Sequence, residues 1–343
     1  MNALPDAYFL SAPLWLITVL HVLTLTLHFV AMNFLVGGVV VVLAGRFEDK
    51  WNHPVVRKLI KLFPVAMAAT VTIGIAPLLF VQLVYPRQMY SAAIVSGWFF
   101  LMIVFVVIAA YYLLYGARFA MEGGKRGWVL LLLSLSGLLY VSVVYSNVFT
   151  TTEHTELVKA LYARNQSGLM LNPDVGAWIF RWLHMMIGAV AVGGFFVGLL
   201  GRNHDDAFKA GKRFFLWGMA AAMVSGFAYL FSLLDIMKPL MHSSAAWWLL
   251  GSIILALGSL HFFMKRNFFI SGAMLFVSLL GMVSVRHIVR LLQLEGIYEP
   301  SSVPVHPQWG VFLIFLGCFV LALAVSGYML KLYFGTQRPG STS

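Results

Sequence analysis

Residues 12–45 read APLWLITVLHVLTLTLHFVAMNFLVGGVVVVLAG, thirty-four positions without a single Asp, Glu, Lys or Arg. As a helix this run is about 50 Å long, more than the roughly 30 Å of hydrocarbon in a bilayer. Inside lipid every backbone polar group must be bonded within the protein, so an uncharged run of this length reads as a spanning helix. Working outward, similar runs recur at roughly 58–84, 92–118, 127–150, 176–201, 212–236, 245–264, 267–294 and 309–334. Together they predict an all-α polytopic bundle of about nine transmembrane helices in a single membrane domain over 1–343. Residues 1–11 lack a basic stretch, and the first run exceeds a signal peptide's apolar core, so it reads as a retained helix.

Composition agrees. Apolar residues make up 61% of the 343 and charged residues only 10%, too few to cover a soluble surface. The net charge of +11 does not point to nucleic acid, because the basic residues sit in short loops between apolar runs. The connections after odd-numbered runs carry Arg46, Lys50, Arg57, Lys58, Lys61, Arg118, Lys125, Arg126, Arg202, Lys209, Lys212, Arg213, Lys265 and Arg266. With Lys331 and Arg338 in the tail, these are 16 of the 23 basic residues. Positive loops stay inside, so the C-terminus is expected in the cytoplasm and the N-terminus outside, in a multi-pass inner-membrane protein of bacterial type. Pro64 and Pro77 are expected to kink the second helix. The outer segment 151–175 is expected to be partly ordered, and no internal repeat stands out.

Polar residues inside a membrane are costly and therefore informative. Five of the ten histidines fall within apolar runs: His21, His28, His184, His261 and His287. A lone intramembrane histidine often only bridges two helices; five in so apolar a chain point to haem iron, for which imidazole is a common ligand. Cys318 is the only cysteine and no CxxCH is present, so any haem is held non-covalently. Counted from the outer ends, His21, His184 and His287 lie about 10–14 Å deep, and His28 and His261 about 24 Å. His28 with His261 is then the natural bis-imidazole pair. Arg286 and Arg290 flank His287, and Arg181 precedes His184 by three residues. With no carboxylate in mid-span, haem propionates are the expected counter-charge, against the plainer reading that these arginines snorkel outward. His53, His154, His204 and His306 lie in loops, and His242 is a weaker candidate ligand.

Several stretches resemble subunit I of the cytochrome bd quinol oxidase superfamily. Leu20-His21-Val22-Leu23-Thr24-Leu25-Thr26-Leu27 looks like that family's first helix, whose histidine binds a high-spin b haem. Lys61-Leu62-Phe63 followed by Met89-Tyr90-Ser91 resembles its second helix and the turn after it. Leu171-Asn172-Pro173, Phe180-Arg181-Trp182-Leu183-His184 and Ala207-Phe208-Lys209-Ala210-Gly211-Lys212-Arg213 resemble its LNP turn, low-spin haem histidine and basic loop. The likeness covers about 10–235 and weakens afterwards. The long quinol-binding loop is reduced to Asp235–Ser244, and the paired glutamates of the third helix have no counterpart in 94–119. The GRQPW region faces Val285–Arg290, the second low-spin ligand falls near Trp247, and His28 and His261 are additional.

The resemblance thus implies a haem-bearing scaffold more than an oxygen-reducing site. The expected function is a haem b membrane electron-transfer subunit holding two or three haems. It would pass electrons between a quinol pool and a redox partner such as a periplasmic cytochrome c. The alternatives are a divergent quinol-dependent terminal oxidase, which needs an open iron position, and a haem-free transporter or scaffold, which has no Soret band.

Overall fold

In the computed structural model residues 8–336 are described, with side chains through 332; the first seven residues and Arg338 lie outside that range. The described chain is helical, with one isolated bridge between Leu10 and Val305. In order the helices are α1 (Leu14–Ala44), α2 (Pro54–Val84), α3 (Pro86–Val95), α4 (Gly97–Glu122), α5 (Trp128–Thr151) and α6 (Thr155–Arg164). They continue with α7 (Val175–Leu200), α8 (Asp205–Phe231), α9 (Leu234–His242), α10 (Ser244–Met264), α11 (Phe268–Gln293) and α12 (Trp309–Thr336). All but α3, α6 and α9 are long and apolar enough to cross a membrane, which gives nine candidate spans among the described residues. This is the polytopic bundle the apolar runs predict.

Two spans start elsewhere than expected. The third begins at Gly97 because Pro86–Val95 forms its own short helix, broken at Ser96, whose hydroxyl donates to the Met170 carbonyl at 2.8 Å. The sixth begins at Asp205, where two aspartates in the first turn favour a helix N-terminus. Lys209, Lys212 and Arg213 therefore lie on α8 rather than in a loop. α2 runs on through Pro64 and Pro77. The expected order in 151–175 is α6.

The chain separates into two compact units, one of residues up to Ile17 together with those from Pro300 onward, the other Thr18–Glu299. In the first, Leu10 and Val305 pair, and Phe9 packs edge-on against His306 at 5.2 Å. In the larger unit consecutive spans pack as hairpins, α4 with α5, α7 with α8 and α10 with α11. Lipid tails are as apolar as leucine, so close backbone approach and hydrogen bonds must hold such helices together. A Cβ on Gly194 would come 2.4 Å from the Phe215 nitrogen, and one on Gly211 2.3 Å from the Gly198 nitrogen. Those clashes explain the small residues of α7 and α8. Ser259 and Ser271 exchange hydroxyl-to-carbonyl bonds of 2.8 and 2.9 Å across α10 and α11.

The connections bearing Arg46, Arg202 and Arg266 gather at one end, here called the basic end. Arg266 donates to the Arg202 carbonyl at 3.0 Å, and His53 meets Asp206 at 3.1 Å. The opposite end carries α3, α6, α9 and the Leu171-Asn172-Pro173 turn. That turn is pinned to α5 by a two-way bond: Asn172 N–H donates to Asn147 Oδ1 at 2.9 Å, and Asn147 Nδ2 to the Asn172 carbonyl at 3.2 Å.

Candidate functional site: buried histidines and an arginine cluster

α5 ends at Thr151, two residues before Glu153, and this carboxylate is the centre of the site. Glu153 is 2% exposed and is ringed by Arg181 from α7 and by Arg286 and Arg290 from α11. Arg286 makes the closest bond; Arg290 Nε approaches at 3.4 Å and Arg181 Nη1 at 3.7 Å. Arg181 also donates to the Ser146 carbonyl, and Arg286 to Gln293 at 3.3 Å. The guanidinium of Arg290 lies 5.5 Å from the Tyr85 ring centre and 5.7 Å from that of Phe149. Burial alone would push the Glu153 carboxyl up, but Arg286, Arg181 and Arg290 outweigh it and hold it below the ordinary carboxylate range. Burial likewise pushes the Tyr85 phenol up to about 12, Arg290 notwithstanding.

The arginines therefore neither snorkel outward nor depend wholly on an outside anion, as the sequence suggests. Glu153 answers part of their charge. Three guanidiniums against one carboxylate still leave a surplus of two positive charges in a buried place.

Beside this cluster stand His21 of α1 and His287 of α11. They lie within electrostatic reach of each other, and both within reach of Arg290. Neither Nδ1 has a hydrogen-bond partner although both atoms are buried; the Pro77 carbonyl passes close to the His21 ring without forming a regular bond. Tyr85 Oη, Gln88 Oε1, Asn172 Nδ2 and Trp178 Nε1, on elements of the same end, are also buried and unpaired. Native proteins leave few such atoms, and a concentration of them calls for a ligand or water.

His28 and His184 are anchored differently. His28 Nδ1 lies 2.9 Å from the Thr70 carbonyl, and His184 Nδ1 lies 2.9 Å from the Ala222 carbonyl. A carbonyl can only accept, so Nδ1 carries the proton in each and Nε2 keeps its lone pair.

The depth grouping read from residue counts needs two corrections. Gly37 of α1 and Gly193 of α7 touch, since a Cβ on Gly193 would lie 2.2 Å from the Gly37 carbonyl carbon. His28 and His184 each precede that contact by nine residues, so they share one level; counting from the outer end misleads because α1 starts further out. His261 is exposed, two residues before Phe263, whose ring abuts Gly198. That puts it about 18 Å nearer the basic end than His28. The expected His28–His261 axial pair is not formed, because one iron cannot bridge that offset. His242 is exposed on α9 and bonds the Lys238 carbonyl of its own helix.

Sequence reasoning missed Glu153, which stands just past an apolar run as any solvated end-of-helix carboxylate would. Its one signal is Arg181, Arg286 and Arg290, which demand an acid somewhere near. No family model, curated protein or solved structure matches the chain. The likeness to cytochrome bd subunit I therefore rests on the quoted residues alone.

Proposed function

We propose that this protein is a haem-bearing membrane electron-transfer subunit, linking a quinol pool to a redox partner such as a periplasmic cytochrome c. The observation that carries the reading is the surplus of two buried positive charges around Glu153 beside two histidines without Nδ1 partners. A haem fits this donor set. Its two propionates match the surplus, and guanidinium is the side chain best shaped for carboxylates in low dielectric. Its iron takes neutral imidazole.

The chain's own residues divide the work. His21 and His287 offer ligands at the outer level. His28 and His184 offer Nε2 about 10 Å further in, seven residues along α1 from His21. Arg181, Arg286 and Arg290 would bind and orient the anionic edge, and Glu153 holds the three together by offsetting part of their mutual repulsion. The surrounding apolar helices exclude water, and the positive field beside the outer site favours the reduced state of any centre held there. Bound haem supplies reversible one-electron chemistry.

A reduced-minus-oxidised spectrum of the purified chain, with a quinol analogue as donor, tests the reading. It predicts a b-type α-band that the quinol develops and oxidised cytochrome c bleaches. Absence of a Soret band would leave a haem-free transporter or scaffold. A large carbon monoxide shift with oxygen consumption would favour the terminal oxidase.

A further inference from the structure

The helices of the larger unit fall into two runs of like order. α1 to α5 and α7 to α11 each comprise two long helices, a short one and two more long ones. The short helix packs alike in both, α3 on α2, α4 and α5, and α9 on α8, α10 and α11. Aligned on this order, the sequences agree. Residues 36–46 (VGGVVVVLAGR) and 192–202 (VGGFFVGLLGR) are identical at seven of eleven positions. Residues 63–76 and 215–228 share Phe63/Phe215, Met67/Met219, Ala68/Ala220, Ala69/Ala221, Gly74/Gly226 and Ala76/Ala228. Asn52-His53 and Asn203-His204 precede the second helix of each half, and the two imidazoles meet at 5.3 Å.

Gly37 and Gly193 occupy the same place in the two halves, and they are the residues at which α1 and α7 touch. Equivalent residues in mutual contact, on helices running the same way, mark a pseudo-two-fold axis along the bundle. Nine residues before each glycine, about 13 Å away, stands a histidine. These are His28 and His184, and their surroundings correspond. Each Nδ1 meets a carbonyl of the neighbouring helix at 2.9 Å, Thr70 in one half and Ala222 in the other. Four residues on, each ring rests on a glycine. A Cβ on Gly74 would come 2.6 Å from His28 Nδ1, and one on Gly226 would come 3.0 Å from His184 Cε1.

A neutral histidine anchored through Nδ1–H to a main-chain carbonyl is the arrangement that fixes a metal ligand's tautomer and ring plane. Bare glycine backbone under the ring lets it lie flat against its own hairpin. Among the described residues no hydrogen bond engages either Nε2.

We propose that the chain is a tandem duplication and that His28 and His184 are its twin ligand sites, each presenting Nε2 to the iron of one haem in its own half. The inference rests on the haem reading above, and replaces the His28–His261 pairing with one ligand per half.

The test uses the full chain in detergent, with haem per protein by pyridine haemochrome and low-temperature magnetic circular dichroism to resolve components. His28→Ala and His184→Ala should each lose one haem and one component, the two components being alike in type. The double variant should lose both and keep the haem of the outer histidines. His28→Gly and His184→Gly should recover their components when imidazole is added, which a merely misfolded chain would not. Gly74→Ala should perturb the His28 component more than Gly226→Ala perturbs that of His184, because its ring is the closer. Full haem retention by His28→Ala, or loss of both components in either single variant, overturns the twin sites while leaving the haem reading standing. A wild-type chain without haem overturns both.

Discussion

Glu153 shows how much one buried side chain can organise. It is a carboxylate whose charge is kept only because three guanidiniums surround it, and breaking a buried ion pair by removing one partner typically costs about 3–5 kcal/mol. Glu153→Gln is therefore expected to lower thermal stability by that order, read by intrinsic fluorescence in detergent. The loss should be smaller with haem bound than in haem-depleted protein if propionates share the arginines; equal losses would contradict the shared site. The sign of the pH dependence follows from the direction of the shift. A carboxyl held below its unfolded value, near 4.5, stabilises the fold above that pH, and the stability is lost as pH falls through the lowered folded value. Acid unfolding below about pH 4.5 should thus be shallower in Glu153→Gln than in wild type. At this scale the histidines and arginines were legible, because ionisable groups stand out in apolar runs. Glu153 was not, because only tertiary packing distinguishes it from an ordinary residue at a helix end.

Among the elements, the crossing of α1 and α7 makes the sharpest demand. A Cβ on Gly37 would lie 1.9 Å from the Ala189 carbonyl oxygen, and backbone cannot yield as a flexible side chain can. Gly188 on α7 has no heavy atom within 4 Å of its would-be Cβ. Gly37→Val should force the helices apart, costing at least the 1–3 kcal/mol typical of overpacking, whereas Gly188→Val should be near neutral. Comparable thermal midpoints for the two would remove the crossing from the account. The number of candidate spans was readable from apolar length alone. The start of α8 was hidden because Lys209, Lys212 and Arg213 look like loop residues until Asp205 and Asp206 are recognised as its first turn. The proposed repeat was hidden because His53 follows Arg46 by seven positions whereas His204 follows Arg202 by only two, and α6 interrupts the pattern between the halves.

For the whole molecule, the gathering of Arg46, Arg202 and Arg266 at one end accords with the basic-loop count, from which that end is expected in the cytoplasm. Gln166 and Asn203 are both exposed, on opposite ends of the larger unit. In a chain with Cys318→Ser, a cysteine at Gln166 should react with an impermeant reagent from outside, and one at Asn203 should not; the reverse would invert the topology. Under the proposed function, the surplus of positive charge, the two imidazoles at one level and the two further imidazoles away from the basic end would serve several haems.

Haem stoichiometry tests that description most directly. Pyridine haemochrome measured against quantitative amino-acid analysis of the monodisperse chain should give two to three b haems per protein, falling by one in His184→Ala. A chain that purifies intact, resists unfolding and carries no haem would contradict it.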